Sequence, residues 1–516
     1  MEVRVELLLL VVGSLAVAVL AKKVDWPAPL VLTAVGIGVS FIPGVPEFRI
    51  DPELVLPLVL APLLYSAALD SSYLDIKANI RPIGLLAVGL VLASTAVVGM
   101  VAYWVVPELG LAAALVLGAV VAPPDAVAAV AIGRRLGLPR RAMTLLTGES
   151  LGNDATALTA YKVAVAAAVA GSSISWGRGA LTFLAAAVGG VAVGLVLGVA
   201  VHWVRMRLGD GVPESALGML VPFAAYLLGE ELHTSGVLAV VVAGLYLGHN
   251  APAAGYSTRL QETAVWRSLD VLLESLVFAL IGLQVRTVIE DAQPDWSLVA
   301  ASGAVLLAAI LVRFAWVFPS AYLPRWSSRR IREREPAPGW RQVSVIGWAG
   351  MRGVVSLAAA AAIPLEMPGR EVVLLLTFVV TVGTLLLQGL TLPAVIRRLD
   401  VRDTDGTERV LAEAQVQNNA AIAAVSRLDE LTDGVPEHVA HRLRALAEHR
   451  GNAAWERLGR QEEEPPSASF RRLRREMLAA ERAEFVAARD RGDIDDEILR
   501  RVQRELDLEE AALSRD

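Results

Sequence analysis

One stretch of this chain, TGESLGNDATALTAYK, sets two carboxylates, an amide and a hydroxyl inside an otherwise apolar run. In a helix, residues four apart stack on one face, so Ser150 lies with Asp154, and Glu149 lies beside them with Asn153. All four present oxygen within about two turns, and oxygen is the donor that hard alkali cations require. A carboxylate here can serve two ligands in turn. Ionised, it attracts a cation; protonated, it does not, so the two exclude each other. A polar seam between packed helices is the alternative reading.

A second stretch, LGAVVAPPDAVAAVAIG, contains Pro123 and Pro124 in mid-span. Both lack the backbone donor and their rings clash with the preceding turn, so the helix must break there. Such backbone is tolerated in a membrane only where it is buried in protein or lines a cavity, and it frees carbonyls for an ion. Asp125 then starts the second half-helix, where a carboxylate caps free N–H groups and offsets the helix dipole. A direct ion ligand is the other reading of Asp125. A third stretch, VIGWAGMRGVVSLAAAAAI, surrounds Arg352 with Gly347, Gly350 and Gly353, which weaken the helix. Arg352 cannot shed its charge, so it needs a permanent partner at that depth. Glu274, in LLESLVFALIGLQV, is the deep carboxylate left without a role and is paired with Arg352 by elimination, as a structural ion pair. A gating role is the alternative for both.

The elements that position these residues are membrane spans. Of 516 residues 55% are hydrophobic and 19% charged, against about 25% charged in a typical soluble domain. Apolar stretches of about 20 residues recur as far as Leu399, each long enough for a hydrocarbon core of roughly 30 Å. They fall near 5–21, 28–43, 53–70, 82–106, 109–133, 141–170, 179–204, 213–229, 234–249, 266–288, 297–322, 341–364 and 371–396. Basic residues cluster in alternate loops, such as Lys22-Lys23, Lys77 with Arg81, Arg134-Arg135 and the 325–334 loop. The loops between are acidic or neutral, as at Glu108, Glu230-Glu231 and Glu366. By the positive-inside rule this places the N-terminus outside and the C-terminus in the cytoplasm. Trp26, Trp104, Trp176, Trp203, Trp266 and Trp296 fall at span ends and read as an aromatic belt.

The expected fold class is an all-α membrane protein of about 13 transmembrane helices. Spans five and twelve are each the fifth of a six-span block, the placement expected of two inverted repeats whose broken helices cross at the midplane. The expected domains are a transmembrane domain over 1–398 and a charged helical tail over 399–516, cytoplasmic by the same rule. Residues 400–516 hold 27 acidic and 19 basic side chains, in patterns that suit solvated helices. The net charge of −6 argues against a nucleic-acid partner, and the absence of cysteine excludes disulfides and thiolate catalysis. No cofactor motif is present. No span shows metal-ligand spacing or a nucleophile–base arrangement, so an intramembrane enzyme is disfavoured.

These motifs resemble the NhaP-type monovalent cation/proton antiporters, a family related to the animal sodium/proton exchangers. The resemblance rests on APPDAVAAVAI, GESLGNDATAL, TSGVLAVVVAGLYLG, ESLVFALIGLQV and MRGVVSLAAAAAIP, in that order, to about residue 398. It implies a homodimer in which each protomer has a dimerisation domain and a six-helix core around two crossed broken helices. It implies that Asp154 binds cation and proton alternately, with Asn153 beside it. Ser150 would be a ligand, Glu149 would act through water, and a main-chain oxygen at Pro124 would complete the shell. It also pairs Arg352 with Glu274. One departure stands out: the family usually has Thr-Asp-Pro at the break, where this chain has Pro124-Asp125-Ala126. The carbonyl at 124 is kept, and the hydroxyl that would face Asn153 is lost.

The expected function is therefore exchange of Na⁺, K⁺ or Li⁺ for H⁺ across the plasma membrane, by alternating access. One titrating carboxylate, with Asn153 rather than a second Asp before it, makes the exchange one for one and electroneutral. The alternative is a cation channel, or a membrane sensor with a regulatory tail.

Overall fold

The computed structural model describes residues 2–24, 26–46, 56–170, 176–335, 337–364, 366–401, 406–431, 436–456, 466–491, 493 and 496–513. Among these residues the regular elements are helical and there is no strand. The chain divides into two compact units, Met1–Arg402 and Asp403–Asp516.

The first unit begins with α1 (Glu2–Lys23), α2 (Ala28–Ser40), α3 (Leu56–Leu69), the short α4 (Tyr73–Ala78) and α5 (Ile80–Val105). Next come α6 (Leu111–Val121), α7 (Ala126–Arg135), α8 (Arg140–Ala170), α9 (Trp176–Leu208), α10 (Gly211–Glu231) and α11 (Gly236–Asn250). The unit closes with α12 (Tyr256–Leu283), α13 (Val285–Ala292), α14 (Trp296–Ser327), α15 (Arg329–Arg334), α16 (Trp340–Trp348), α17 (Val354–Ala361) and α18 (Arg370–Leu399). Among the described residues seven helices are long and apolar enough to cross a membrane. The pairs α6/α7 and α16/α17 are short because each is one apolar run interrupted, at 122–125 and at 349–353. The protein is a multi-pass membrane protein.

Packing follows the side chains each helix can spare. α9 leaves Leu181, Leu184, Val188 and Val196 exposed in a continuous row, a surface suited to lipid rather than water. Where helices meet, small residues let backbones approach. A Cβ built on Gly36 of α2 would lie 2.9 Å from Gly282 Cα and 2.7 Å from the Ala279 carbonyl of α12. α8 contributes to three apolar clusters: Leu146 to one, Tyr161 to a second, and Leu151 and Ala155 to a third around Tyr65 and Val240. Its polar stretch therefore lies where the three clusters meet. Of the expected tryptophan belt, Trp26, Trp104, Trp203 and Trp296 are exposed near helix ends, but Trp266 is buried against Tyr65, with ring centroids 5.1 Å apart. The side chain of Trp176 lies outside the described residues.

The second unit contains α19 (Gly406–Leu431), α20 (Glu437–Glu456), α21 (Pro466–Asp490) and α22 (Asp496–Leu513). Charge pairs join neighbours: Arg444 to Asp429 between α20 and α19, and Arg474 to Glu509 at 2.7 Å between α21 and α22. Leu478, Leu499 and Leu506 supply buried apolar positions. In α21 and α22 the apolar stripe is thin and the rest of each helix is rich in charge.

Candidate cation and proton site

The two interruptions cross. The Asp125 amide donates to the Met351 carbonyl at 2.6 Å, joining the unwound residues of one broken run to those of the other. The Asp125 carboxylate accepts from the Val127 amide at 2.8 Å and so caps α7, as the spacing predicts. The same carboxylate lies against Gly353, the residue preceding α17, where an added Cβ would overlap it. One anion thus serves two helix N-termini. Arg352 does the converse. Its Nε donates to the carbonyl of Val121, the last residue of α6, at 2.9 Å. Its Nη1 donates to Gly350, just beyond α16, and its Nη2 to Ala309 at 3.2 Å. The guanidinium therefore sits at the negative ends of two half-helices.

The polar face of α8 lies beside this crossing. Asn153 is fully buried and its Nδ2 donates to the Pro124 carbonyl at 2.8 Å. The amide thus reaches the break through the main chain, the one group of residue 124 that proline retains. Asp154 is also buried, and among the described residues it makes no hydrogen bond or ion pair. Ser150 is half-buried one turn earlier on the same helix face. Glu149 is buried and held by Arg313 of α14 in a two-point contact, Nη1–Oε1 2.5 Å and Nη2–Oε2 2.9 Å. Arg313 also donates from Nε to the Ile346 carbonyl at 3.1 Å.

The expected Arg352–Glu274 pair is not formed. Every guanidinium donor described on Arg352 goes to the backbone at the crossing, or to the backbone beside it. Glu274 lines a cavity of about 860 Å³ together with Leu30 and Ile132, and with Lys22, Arg135 and Arg397 from the last turns of α1, α7 and α18. Elimination misassigned Glu274 because it overlooked Arg313. The signal was present: AAILVRFAWVF sets a lone arginine in the middle of a 32-residue apolar helix.

A buried carboxylate with no protein cation needs a mobile one, a proton or an ion, to offset the cost of desolvation. Asp154 meets that description, whereas Glu149 already has Arg313, and Asp125 already faces two helix N-termini.

Comparison with known proteins identifies the family. The profile described as sodium/hydrogen exchanger, transmembrane, matches residues 7–398. The chain is 34% identical over 529 residues to an uncharacterised Na⁺/H⁺ exchanger of Mycobacterium bovis, covering 98% of this chain and 95% of that one. It is 29% identical to the Na⁺/H⁺ antiporter ApNhaP of Aphanothece halophytica over 440 residues, 84% of this chain and 81% of the other. The fold is similar to the sodium proton antiporter MjNhaP1 from Methanocaldococcus jannaschii at pH 8, with TM-score 0.62 and 19% identity over 77% of this chain and 99% of that one. The chain belongs to the sodium/hydrogen exchanger family.

Proposed function

We propose that the protein is a secondary antiporter exchanging a monovalent cation, Na⁺ and also K⁺ or Li⁺, for H⁺, and that Asp154 is the carboxylate that binds them in turn. The observation that carries this reading is the buried Asp154, which has no protein partner among the described residues, beside the break that Asn153 ties to Pro124. Ser150 and the Pro124 carbonyl supply further oxygen near it, and Glu149 and Arg313 fix the helix that presents it. One carboxylate accommodates one charge at a time, so the exchange is one for one. The chain runs as thirteen spans, with each broken pair counted once, in the plasma membrane, the N-terminus outside and residues 399–516 in the cytoplasm. It assembles as a homodimer through its apolar outer surface.

The test is dissipation of an imposed pH gradient in proteoliposomes on addition of Na⁺, K⁺ or Li⁺. The wild type responds to at least one of these saturably, and Asp154→Asn responds to none. Persistent pH-dependent cation flux in Asp154→Asn would reject the assignment.

A further inference from the structure

Away from Asp154, three arginines from three helices close on a single carboxylate. Arg81 is the second residue of α5, Arg141 the second of α8, and Arg325 lies in the last turn of α14. α5 and α14 are both long and apolar enough to span, so these arginines mark where helices leave the bilayer. Trp326 follows Arg325 and is 81% exposed, and Trp340, which opens α16, is 58% exposed. Exposed tryptophans at span ends belong to the headgroup level of the membrane. The guanidiniums meet one oxygen there. The Nη2 atoms of Arg81, Arg141 and Arg325 lie 2.5, 3.9 and 3.1 Å from Glu335 Oε2.

The cluster holds more positive charge than Glu335 needs. Arg81 alone pairs with both carboxylate oxygens, Nε to Oε1 at 3.1 Å and Nη2 to Oε2, which is the full two-point match. Arg141 and Arg325 come in addition, so three positive charges face one negative and leave a surplus of two. Neighbouring carboxylates are engaged elsewhere: Asp75 by Arg140 and Glu333 by Arg329. Arg81 and Arg141 also stand in the first turns of their helices, where the dipole disfavours a cation and favours an anion. Glu335 itself is replaceable. It lies on the loop between α15 and α16, its amide bonded to the Ile331 carbonyl at 2.8 Å and its carbonyl accepting from Arg325 Nε at 3.3 Å. The side chain can swing away while the backbone stays tied. The side chains of Arg81, Arg141 and Glu335 remain 26%, 31% and 23% exposed, so the cluster is open at its surface.

A phosphomonoester carries about −1.5 to −2 charges and three terminal oxygens, which matches both the surplus and the three guanidiniums. We propose that Arg81, Arg141 and Arg325 form a site for the phosphomonoester headgroup of a membrane lipid, and that Glu335 fills it when lipid is absent. The cleft beneath Arg141 and Arg325 is only about 40 Å³ and takes no acyl chain. The chains stay in the bilayer, beside the exposed Leu323 and Trp326. A bound lipid fastens the end of α8, which carries Asp154, and that of α14, which carries Arg313, at the membrane surface.

The test is native mass spectrometry of the full-length protein in detergent, titrated with phosphatidic acid, phosphatidylglycerol or phosphatidylcholine. The wild type retains phosphatidic acid several-fold better than either of the others. Arg141→Gln, which removes the most exposed and most distant guanidinium, loses that preference. Glu335→Gln removes the competitor and retains phosphatidic acid several-fold better than the wild type. Glu333→Gln removes a carboxylate from the same stretch but outside the cluster, and retains it as the wild type does. A Glu335→Gln variant that binds no better than the wild type overturns the proposal, because Glu335 is then a plain structural partner. Equal retention of phosphatidylglycerol or phosphatidylcholine overturns it too, since neither offers a monoester. So does inorganic phosphate that displaces phosphatidic acid at equal concentration, which would make the ligand a soluble anion. Lipid retention needs no transport, so this result is separable from failure of the antiport reading.

Discussion

The Asp125 amide and the Met351 carbonyl form a 2.6 Å hydrogen bond that ties one broken membrane helix to the other. Around this bond Asp125 faces the N-termini of α7 and α17, and Arg352 faces the C-termini of α6 and α16. Four half-helix ends in a low-dielectric interior are thereby matched by one anion and one cation. The crossing needs no third charged residue, and this is why Glu274 is free to face a cavity.

Gly353→Ala tests the closeness of that arrangement. The added Cβ has no room beside the Asp125 carboxylate. The expected cost is about 1–3 kcal/mol from overpacking. Exchange should fall more sharply than expression or melting temperature, as measured by pH-gradient dissipation and thermal unfolding.

The Glu149–Arg313 pair is almost fully buried, so removing one partner strands a charge. Glu149→Gln or Arg313→Gln alone should cost about 3–5 kcal/mol. The double replacement Glu149→Gln with Arg313→Gln should recover much of it, and a double-mutant cycle on thermal unfolding would measure the coupling. If the pair only positions α8, the double variant keeps exchange.

Glu274→Gln should behave differently. No ion pair with Arg352 exists to be broken, so the stability cost should stay well below the 3–5 kcal/mol of a severed buried pair. A melting temperature close to that of the wild type is the expected result. A collapse of stability would restore the pairing that the geometry denies.

At the break, the contact from Asn153 is to the carbonyl of Pro124 and not to a side chain. Pro124→Ala should therefore keep exchange. Asn153→Ala should leave that carbonyl orphaned, at a cost of about 1–3 kcal/mol. Its exchange should be impaired even where the protein folds, which titration of the cation concentration would show.

Outside the membrane, Glu335 accepts from Arg81 at 3.1 and 2.5 Å and from Arg325 at 3.1 Å. The hydrogen bonds from Arg81 hold its carboxyl below the usual glutamate range, with the charges of Arg81, Arg325 and Arg141 adding to the effect. A lowered folded-state value stabilises above the unfolded value and is lost as pH falls through the folded one. Wild type and Glu335→Gln should therefore differ at neutral pH and converge on acidification below the ordinary glutamate range. The pair is partly exposed, so the neutral-pH difference should be modest, about 1 kcal/mol. Melting curves across pH would follow it.

Much of the site is legible in local spacing. Pro123-Pro124 announces the break, Asp125 its cap, and the four-residue interval from Ser150 to Asp154 a shared helix face. The partners of the two arginines are not legible in this way. Arg313 meets Glu149 across 164 residues of sequence, and no local pattern records that contact. Arg352 is satisfied by carbonyl oxygens, which every residue carries, so no census of side chains identifies its partners. Pairing deep charges by elimination therefore fails wherever the backbone is the counter-ion. The placement of the helices, by contrast, follows from apolar length and turn residues, which are local properties.

The paired charges have an electrical consequence. Counted as ionised, Asp125 cancels Arg352 and Glu149 cancels Arg313, so the fixed charges of the crossing sum to zero. Under the proposed alternate binding, Asp154 carrying a proton is neutral, and so is Asp154 carrying a monovalent cation. A membrane voltage does work of about 2.3 kcal/mol per elementary charge per 100 mV. It does none on either loaded form. The form on which the field can act is the empty one, with Asp154 bare, and that is also the form a buried carboxylate avoids most strongly.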